Sequence, residues 1–323
     1  MGRYLIRRTL FLILVLFIVS VITFVVFVKL PSQDPAIRAA GRTPTPELIA
    51  TIRHKFGLDR PIYVQYWRFA QGLIPVPGMF LNEDVYFSYT NHVAVKDEIF
   101  GRLPVTATLA LGAAVIWLAI GLPIGIISAI KPRSFFDRAG MVFALIGVSA
   151  PVFWLALLFL YVFWFKLQWL PGSGIPPDES ILQAVTSGRF ILPWLVLALA
   201  FAAFYSRMVR GNLVETMSED YIRTARAKGL TERKVIFKHG VRSALTPVVT
   251  MLGLDLGILL GGAIITETVF NLPGLGQYAI RSLLNSDFPA IMGVTVFASF
   301  FIVLGNLLVD VAYAFLDPRV RYT

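Results

Sequence analysis

Six apolar runs dominate the chain: Thr9–Leu30, Pro104–Ile130, Ala139–Phe165, Ile191–Tyr205, Pro247–Phe270 and Pro289–Phe315. Most exceed the roughly 20 residues that a helix needs to cross about 30 Å of hydrocarbon. Lipid offers no water to backbone N–H and C=O groups, so such runs must satisfy their hydrogen bonds internally, as helices. Ile191–Tyr205 is short and has to borrow from its flanks. Hydrophobic residues are 57% of the 323 and charged residues only 15%, more apolar content than a soluble core requires. The expected fold is an all-α polytopic membrane protein with six transmembrane helices. The first run follows Arg3, Arg7 and Arg8, yet it is too long for a signal-peptide core and no A-x-A site follows at the right distance. It is expected to remain as a helix.

The net charge of +10 could suggest a nucleic-acid partner, but its placement has another cause. With the N-terminus inside, the inside regions hold seventeen Lys and Arg. These are Arg3, Arg7, Arg8, Lys131, Arg133, Arg138, nine from Arg207 to Arg242, and Arg319 and Arg321. The short outside loops hold three: Lys166, Arg189 and Arg281. Basic residues concentrate on the cytoplasmic side of membrane proteins, so both termini are expected there and no nucleic acid is needed. The organisation that follows is a first helix at 1–30, an outside segment at 31–103, and a core of five helices at 104–323 with a cytoplasmic loop at 206–246. In the outside segment, Thr45 and Pro46 start one short helix that Gly57 ends, and Pro61 starts another that reaches Gly72. That segment can be a cap on the membrane domain, a docking surface for an outside partner, or both. The chain has no cysteine, which removes disulfides, thiolate zinc sites and cysteine nucleophiles.

The loop is the most informative stretch. Ser218 is a candidate N-cap, and Glu219 and Asp220 suit the positive end of a helix. Tyr221, Ile222 and Ala225 are expected on one face, with Arg223, Arg226 and Lys228 around the others. Gly229 can adopt the left-handed conformation that ends helices, and Thr231 can cap a second helix. The bland reading is a positive loop resting on anionic headgroups.

The order of residues goes further. "DYIRTARAKGL" (220–230) and "KHGVRSALTP" (238–247) resemble the cytoplasmic loop of ABC-importer permeases of the dipeptide, oligopeptide and nickel family. The wider superfamily has E-A-A-x-x-x-G here. This chain keeps Ala225 and Gly229 but has Arg223 and Thr224 where Glu and the first Ala would fall, a change typical of the peptide branch. "GLDRPIYVQY" (57–66), "GRLPVTATLALGA" (101–113), "ETVFNLPGLG" (267–276) and "DPRVRY" (317–322) look like the same family in the same order. The outside segment departs from it by lacking a G-D-x-G-x-S wording. The resemblance implies a type I ABC importer fold and, in it, the subunit with a large outside segment after the first span. Expected partners are a second homologous permease subunit, two cytoplasmic ABC ATPases, an outside substrate-binding protein and the lipid of a bacterial or archaeal plasma membrane. ATP and magnesium would sit on the ATPases, with no cofactor on this chain. The coupling helix would comprise Ser218, Asp220, Tyr221, Arg223, Thr224, Ala225, Arg226, Lys228 and Gly229, where small Ala225 permits close seating on an ATPase.

Within the spans, Gly253, Gly257 and Gly261 form overlapping G-x-x-x-G patterns suited to close helix packing. Asp255 lies deep in the fifth run, where lipid exposure is costly, so it is expected to line a pathway, be protonated or pair with another chain. Glu267 and Asp310 fall near span ends, where interfacial hydrogen bonds would serve them, and Lys166 can snorkel. An ion-coupled secondary transporter is the alternative, but no internal repeat supports it. There is no H-E-x-x-H, G-x-S-x-G or G-K-[ST] motif, so neither an enzyme nor an ATP site is expected in this chain.

Overall fold

The structure, a computed structural model, describes residues 2–29, 45–55, 57–74, 85–172 and 174–316, with short pieces at 34, 36–37, 40 and 81–82. The terminal 317–322 motif and the side chains of Arg3 and Asp310 lie outside the described residues. Helices form nearly all the regular structure, and among the described residues the sole β feature is an isolated Phe87–Ala94 bridge. Among the described residues five helices are long and apolar enough to cross a membrane, or six if one bent pair is counted as a span.

Helix α1 (Gly2–Phe24) continues as a π-helical stretch, Val25–Lys29. Two short helices follow, α2 (Pro46–Lys55) and α3 (Ile62–Gln71). The Thr45 hydroxyl accepts from the Leu48 amide at 3.3 Å, as a capping residue does. Helix α4 (Val95–Ile130) has 36 residues, about 54 Å, and starts well before the expected Pro104. Asp97 and Glu98 suit its first turn, and Arg102 meets Glu98 one turn on at 2.6 Å. The end of the 31–103 segment therefore lies inside a helix.

The third run is not one straight span. Helices α5 (Phe135–Ser149) and α6 (Val152–Phe159) bend by 101° at Ala150–Pro151, and α6 continues as π-helical Leu160–Lys166. Pro151 has no amide to donate and forces the preceding residue out of helical geometry, as the ψ of 123° at Ala150 records. After the short α7 (Ile181–Thr186), α8 (Ile191–Thr216) obtains its length from the flank beyond Tyr205, so the loop expected from 206 begins about three turns later. Helices α9 (Asp220–Ala227), α10 (Glu232–Lys234) and α11 (Arg242–Ala244) make the loop, with π-helical Val235–Val241 between the last two.

The fifth run is also broken. Helix α12 (Thr246–Leu260) stops before Gly261, and a short α13 (Ile264–Val269) follows. Gly262 sits at φ +123°, and a Cβ there would lie 2.5 Å from the Gly276 nitrogen, so only glycine fits the reversal. Helices α14 (Leu275–Leu284) and α15 (Phe288–Leu316) complete the chain.

The chain divides into two compact units. The first comprises 1–106, 257–264 and 273–307 and has an aromatic core around Phe24, Phe69, Tyr86 and Phe297. There the buried Asp287 carboxylate accepts from the Ser88 hydroxyl at 2.5 Å and from the Tyr89 and Thr90 amides at 3.2 Å each. The second unit comprises 107–256, 265–272 and 308–323. In it α4 approaches α8 through Gly121 and Gly125, whose Cβ atoms would fall 2.9 Å from the Ala202 oxygen and 2.6 Å from the Ser206 oxygen. Trp117 stacks on Phe201 with 4.6 Å between ring centres.

Two of the fifth-run glycines leave little room for a side chain. A Cβ on Gly257 would meet the Phe301 oxygen at 3.0 Å and the Ile302 Cα at 3.2 Å; one on Gly261, just past the helix end, would meet the Ala298 Cβ at 2.8 Å. Gly253 is half-buried. Gly257→Val should therefore cost on the order of 1–3 kcal/mol through overpacking against backbone that cannot yield. Gly211, with nothing within 4 Å, should accept Ala with a small gain of about 0.5–1 kcal/mol. Thermal unfolding in detergent checks both signs.

Candidate functional site

The basic loop folds as a helical hairpin at the end of α8. Ser218, expected as the N-cap, instead donates its hydroxyl to the Glu215 carbonyl at 2.6 Å, which ties it to the preceding helix. Such local bonds compete with capping. Glu219 takes the N-cap position in extended geometry without a side-chain cap. Asp220 opens α9, where its charge suits the helix dipole, and lies 3.3 Å from exposed Arg223. Thr224 bonds back to the Asp220 carbonyl at 2.9 Å.

The other end is closed by backbone bonds. Gly229 adopts φ +76°, its amide donates to the Arg226 carbonyl at 2.9 Å, and the Leu230 amide donates to the Ala225 carbonyl at 3.4 Å. This pair of crossing bonds is the Schellman ending that the Gly229 position called for. No atom lies within 4 Å of where a Gly229 Cβ would stand, so conformation alone demands glycine. Thr231 occupies the N-cap position of the second arm, but its hydroxyl makes no capping bond. Across the turn, the Arg226 guanidinium reaches both Glu232 carboxylate oxygens, at 2.8 and 3.2 Å, and this contact holds Arg226 further toward its charged form.

The faces of α9 are divided differently from the expected pattern. Ile222 and Ala225, three residues apart, are buried against Val235 with Met217 beside them. Tyr221 is 45% exposed, because it lies about 100° round the helix from Ile222. Ala225 is 7% exposed, so the close approach its small side chain allows is to the hairpin's own second arm. Arg223, Thr224, Arg226, Lys228 and Gly229 are exposed with Tyr221.

One contact seats the hairpin on α8, and another fixes α8 itself. A Cβ on Gly240 would lie 2.8 Å from the Met217 sulfur and 3.2 Å from Leu213, so the second arm rides closely on α8. One turn above, the Arg210 guanidinium grips Asp137 through both carboxylate oxygens, at 2.6 and 3.0 Å, and the Arg133 amide donates to the same group at 2.8 Å. That bidentate pair joins the 131–138 turn to α8, and the sequence reading missed it: Arg210 and Asp137 are 73 residues apart.

Deep in the same unit, the Tyr205 hydroxyl donates to Asp255 at 2.6 Å. Asp255 therefore has a partner within the chain, and Tyr205 was the residue the sequence reading lacked. Glu267, expected at an interface, is fully buried. Lys166 stays at the surface near the Tyr161 ring. Among the described residues no group of three or more His, Cys, Asp or Glu is placed to hold a metal. The arrangement presents an exposed, partly basic face on a short capped helix.

Known proteins resemble the chain along its whole length. Residues 121–322 match the family described as binding-protein-dependent transport system inner membrane component, and 1–110 match its N-terminal membrane component. Glutathione transport system permease protein GsiC of Escherichia coli is 40% identical over 322 residues, covering 100% of both chains. The protein of that name from Salmonella paratyphi A is 39% identical over the same length. The methionine ABC transporter MetNI in an inward-facing conformation aligns with a TM-score of 0.54 at 18% identity, covering 69% of this chain and 97% of that one. An amino acid ABC transporter solved with histidines gives 0.53 at 15% identity, covering 67% and 93%. These likenesses show the fold, that of type I ABC importer permeases.

Because Ala225 fills a closed contact, Ala225→Leu should overpack the hairpin by on the order of 1–3 kcal/mol. Amide hydrogen exchange should rise across 220–235 and stay unchanged in α4 and α8. Unaltered exchange in the hairpin would show that Ala225 does not face Val235 in solution.

Proposed function

The chain belongs to the family of binding-protein-dependent transport system inner membrane components, and from that premise we propose that it carries small peptides and is driven through α9. The coarse activity follows from the family itself: this is a membrane permease subunit of an ABC importer, not an enzyme, and ATP is hydrolysed on separate subunits. Such permeases work with another permease, ATPase subunits and a substrate-binding protein. The full-length match removes the ion-coupled secondary transporter as a rival reading.

The proposed cargo is a di- or oligopeptide rather than a nickel chelate or a sugar. Its support is the 40% identity, over the full length, to permeases named for glutathione, itself a tripeptide. The proposed partners are a second homologous permease, which would complete the pathway, and two ATPases carrying ATP and magnesium. The proposed site is a bacterial or archaeal plasma membrane with both termini and the hairpin cytoplasmic. The seventeen-to-three distribution of basic residues supports that orientation.

The observation that carries the coupling role is the geometry of α9: capped by Gly229, packed on Val235, and exposed at Tyr221, Arg223, Thr224 and Lys228. A rigid helix on a rooted hairpin can pass movement of a partner into the spans at either end. Asp255, held by Tyr205, and the Gly253–Gly261 face would then contribute to the pathway and its packing.

Two measurements test the reading. Lys228→Cys, in a chain without native cysteine, should resist an impermeant thiol reagent in intact cells; labelling from outside would reverse the topology. Gly229→Val places a β-branched residue in left-handed geometry, a strain of about 1–2 kcal/mol or more, whereas Gly229→Asn suits that geometry. With assembly intact, Val should sharply reduce uptake of labelled peptide and abolish stimulation of ATP hydrolysis by the loaded binding protein. Asn should retain most of both. Equal activity of Val, Asn and the native chain would remove α9 from the coupling path.

A further inference from the structure

Helix α3 is apolar on two sides. Its inner side sends Tyr66 and Phe69 into the first unit's core, and Phe69 is 1% exposed. Its outer side carries Ile62, Tyr63 and Trp67 at 53%, 71% and 60% exposure, and Ile74 just beyond the end is also exposed. Tyr63 and Trp67 stand four residues apart, which puts them in one stripe, and Ile74 follows in the turn after the helix. Gln65, which would make the helix more polar, instead donates its amide to the Leu58 and Arg60 carbonyls at 3.1 and 2.6 Å. The rest of the helix carries Gln65, Arg68 and Gln71, so a polar side stands beside the two apolar ones.

Contacts with α1 set its depth. The Tyr66 hydroxyl lies 2.9 Å from the Ser20 hydroxyl, and its ring meets Phe17 and Phe24 edge-on at 6.3 and 5.4 Å. Phe69 is 5.7 Å from Phe24. Ser20 and Phe24 lie about 13 and 7 Å along the helix from Lys29, the first charge after the apolar run. Tyr66 thus reaches into the hydrocarbon depth of α1, and α3 runs along its edge. The cavity beneath, near Phe24, Phe27 and Phe69, is about 50 Å³, room for a water or so but not for a lipid tail, so the helix packs directly on the span. The α1 helix that it packs on also exposes apolar side chains, at Leu14, Phe17, Ile18 and Ile22.

We propose that α3 is an interfacial helix, with Tyr63, Trp67 and Ile74 seated at the acyl–headgroup boundary of the leaflet at the Lys29 end of α1. Tyrosine and tryptophan suit that boundary, because each has an apolar ring and a hydrogen-bonding tip. The partner is lipid rather than protein, because the stripe is carried by a helix whose inner side packs on a spanning helix within its apolar length. The 31–103 segment is then partly a membrane element, whatever the cargo and whichever way the chain is oriented.

Nitroxide labels on single cysteines test the depth. Tyr63→Cys and Trp67→Cys would be made in the full chain, copurified with its subunits, in nanodiscs of phosphatidylethanolamine and phosphatidylglycerol. Leu14→Cys on α1 and Glu47→Cys on α2 serve as lipid and water references, and Ile62→Cys substitutes if either aromatic variant fails to assemble. Power saturation compares collision with oxygen, which concentrates among acyl chains, and with a water-soluble nickel chelate. The oxygen-to-nickel ratio at 63 and 67 is expected to exceed that at 47 several-fold and to approach that at 14. A ratio equal to that at 47 places the stripe in water and overturns the proposal. Exclusion of both reagents, the sign of a protein partner on the stripe, overturns it too.

Discussion

Inside hydrocarbon a backbone amide without a partner finds no water, and each such loss costs several kcal/mol. Every departure from straight helix in this chain must therefore replace the bonds it breaks, and the breaks it makes are of that kind. At the α5–α6 bend, Pro151 has no amide to lose, the Ala150 amide still reaches Ile146 at 3.0 Å, and the Pro151 carbonyl accepts from Trp154 and Leu155. After α12, Gly261 and Gly262 donate to Ile258 and Leu259 in a tightened last turn. After α13, Asn271 and Leu272 donate back to Thr268 and Glu267, and Gly174 donates to the Phe270 carbonyl at 2.8 Å. The bends are closed structures, each built where proline or glycine makes the geometry available.

The same constraint governs the charged groups. Asp255, Asp137 and Asp287 sit in different surroundings, yet each carboxylate is met by donors. Asp255 has a tyrosine hydroxyl, Asp137 a bidentate arginine and a backbone amide, and Asp287 a serine and two amides. Asp137 and Asp287 are buried, so removing one partner there leaves a buried charge, which is worse than never having had the pair. These carboxylates are thus points where the fold has little freedom. One of them, Asp137, ties the 131–138 turn to α8.

What could be read from the sequence was whatever depends on a run or on one residue's conformation. The spans were visible because apolar length is additive along the chain, and Gly229 was visible because few residues tolerate φ +76°. The family was legible because its motifs are short, local and ordered. Three things stayed hidden. Tyr205 and Arg210 act on partners 50 and 73 residues away, and no periodicity reports such pairs. The bend at Pro151 was signalled by its proline, but the surrounding hydropathy masked it. The burial of Ala225 depended on where Val235 would land, which only the folded hairpin decides. Helix α3 was legible as a helix, whereas its surroundings required the contacts with Ser20 and Phe24.

An eight-residue helix has little surface to divide between tasks, and α9 divides it cleanly. Ile222 and Ala225 belong to the hairpin, and Tyr221, Arg223, Thr224 and Lys228 stand exposed. Because the first group packs on Val235, and the second arm in turn rides on α8 at Gly240, load on the exposed face has a continuous solid path to the root of the hairpin. The Arg226–Glu232 pair bridges the turn but is exposed, and exposed pairs contribute about 0–1 kcal/mol, so it cannot supply the stiffness. Stiffness has to come from the buried contact and the glycine ending. Changes on the exposed face should then alter what binds without altering the hairpin, and changes at Ala225 or Gly229 should alter the hairpin before anything binds.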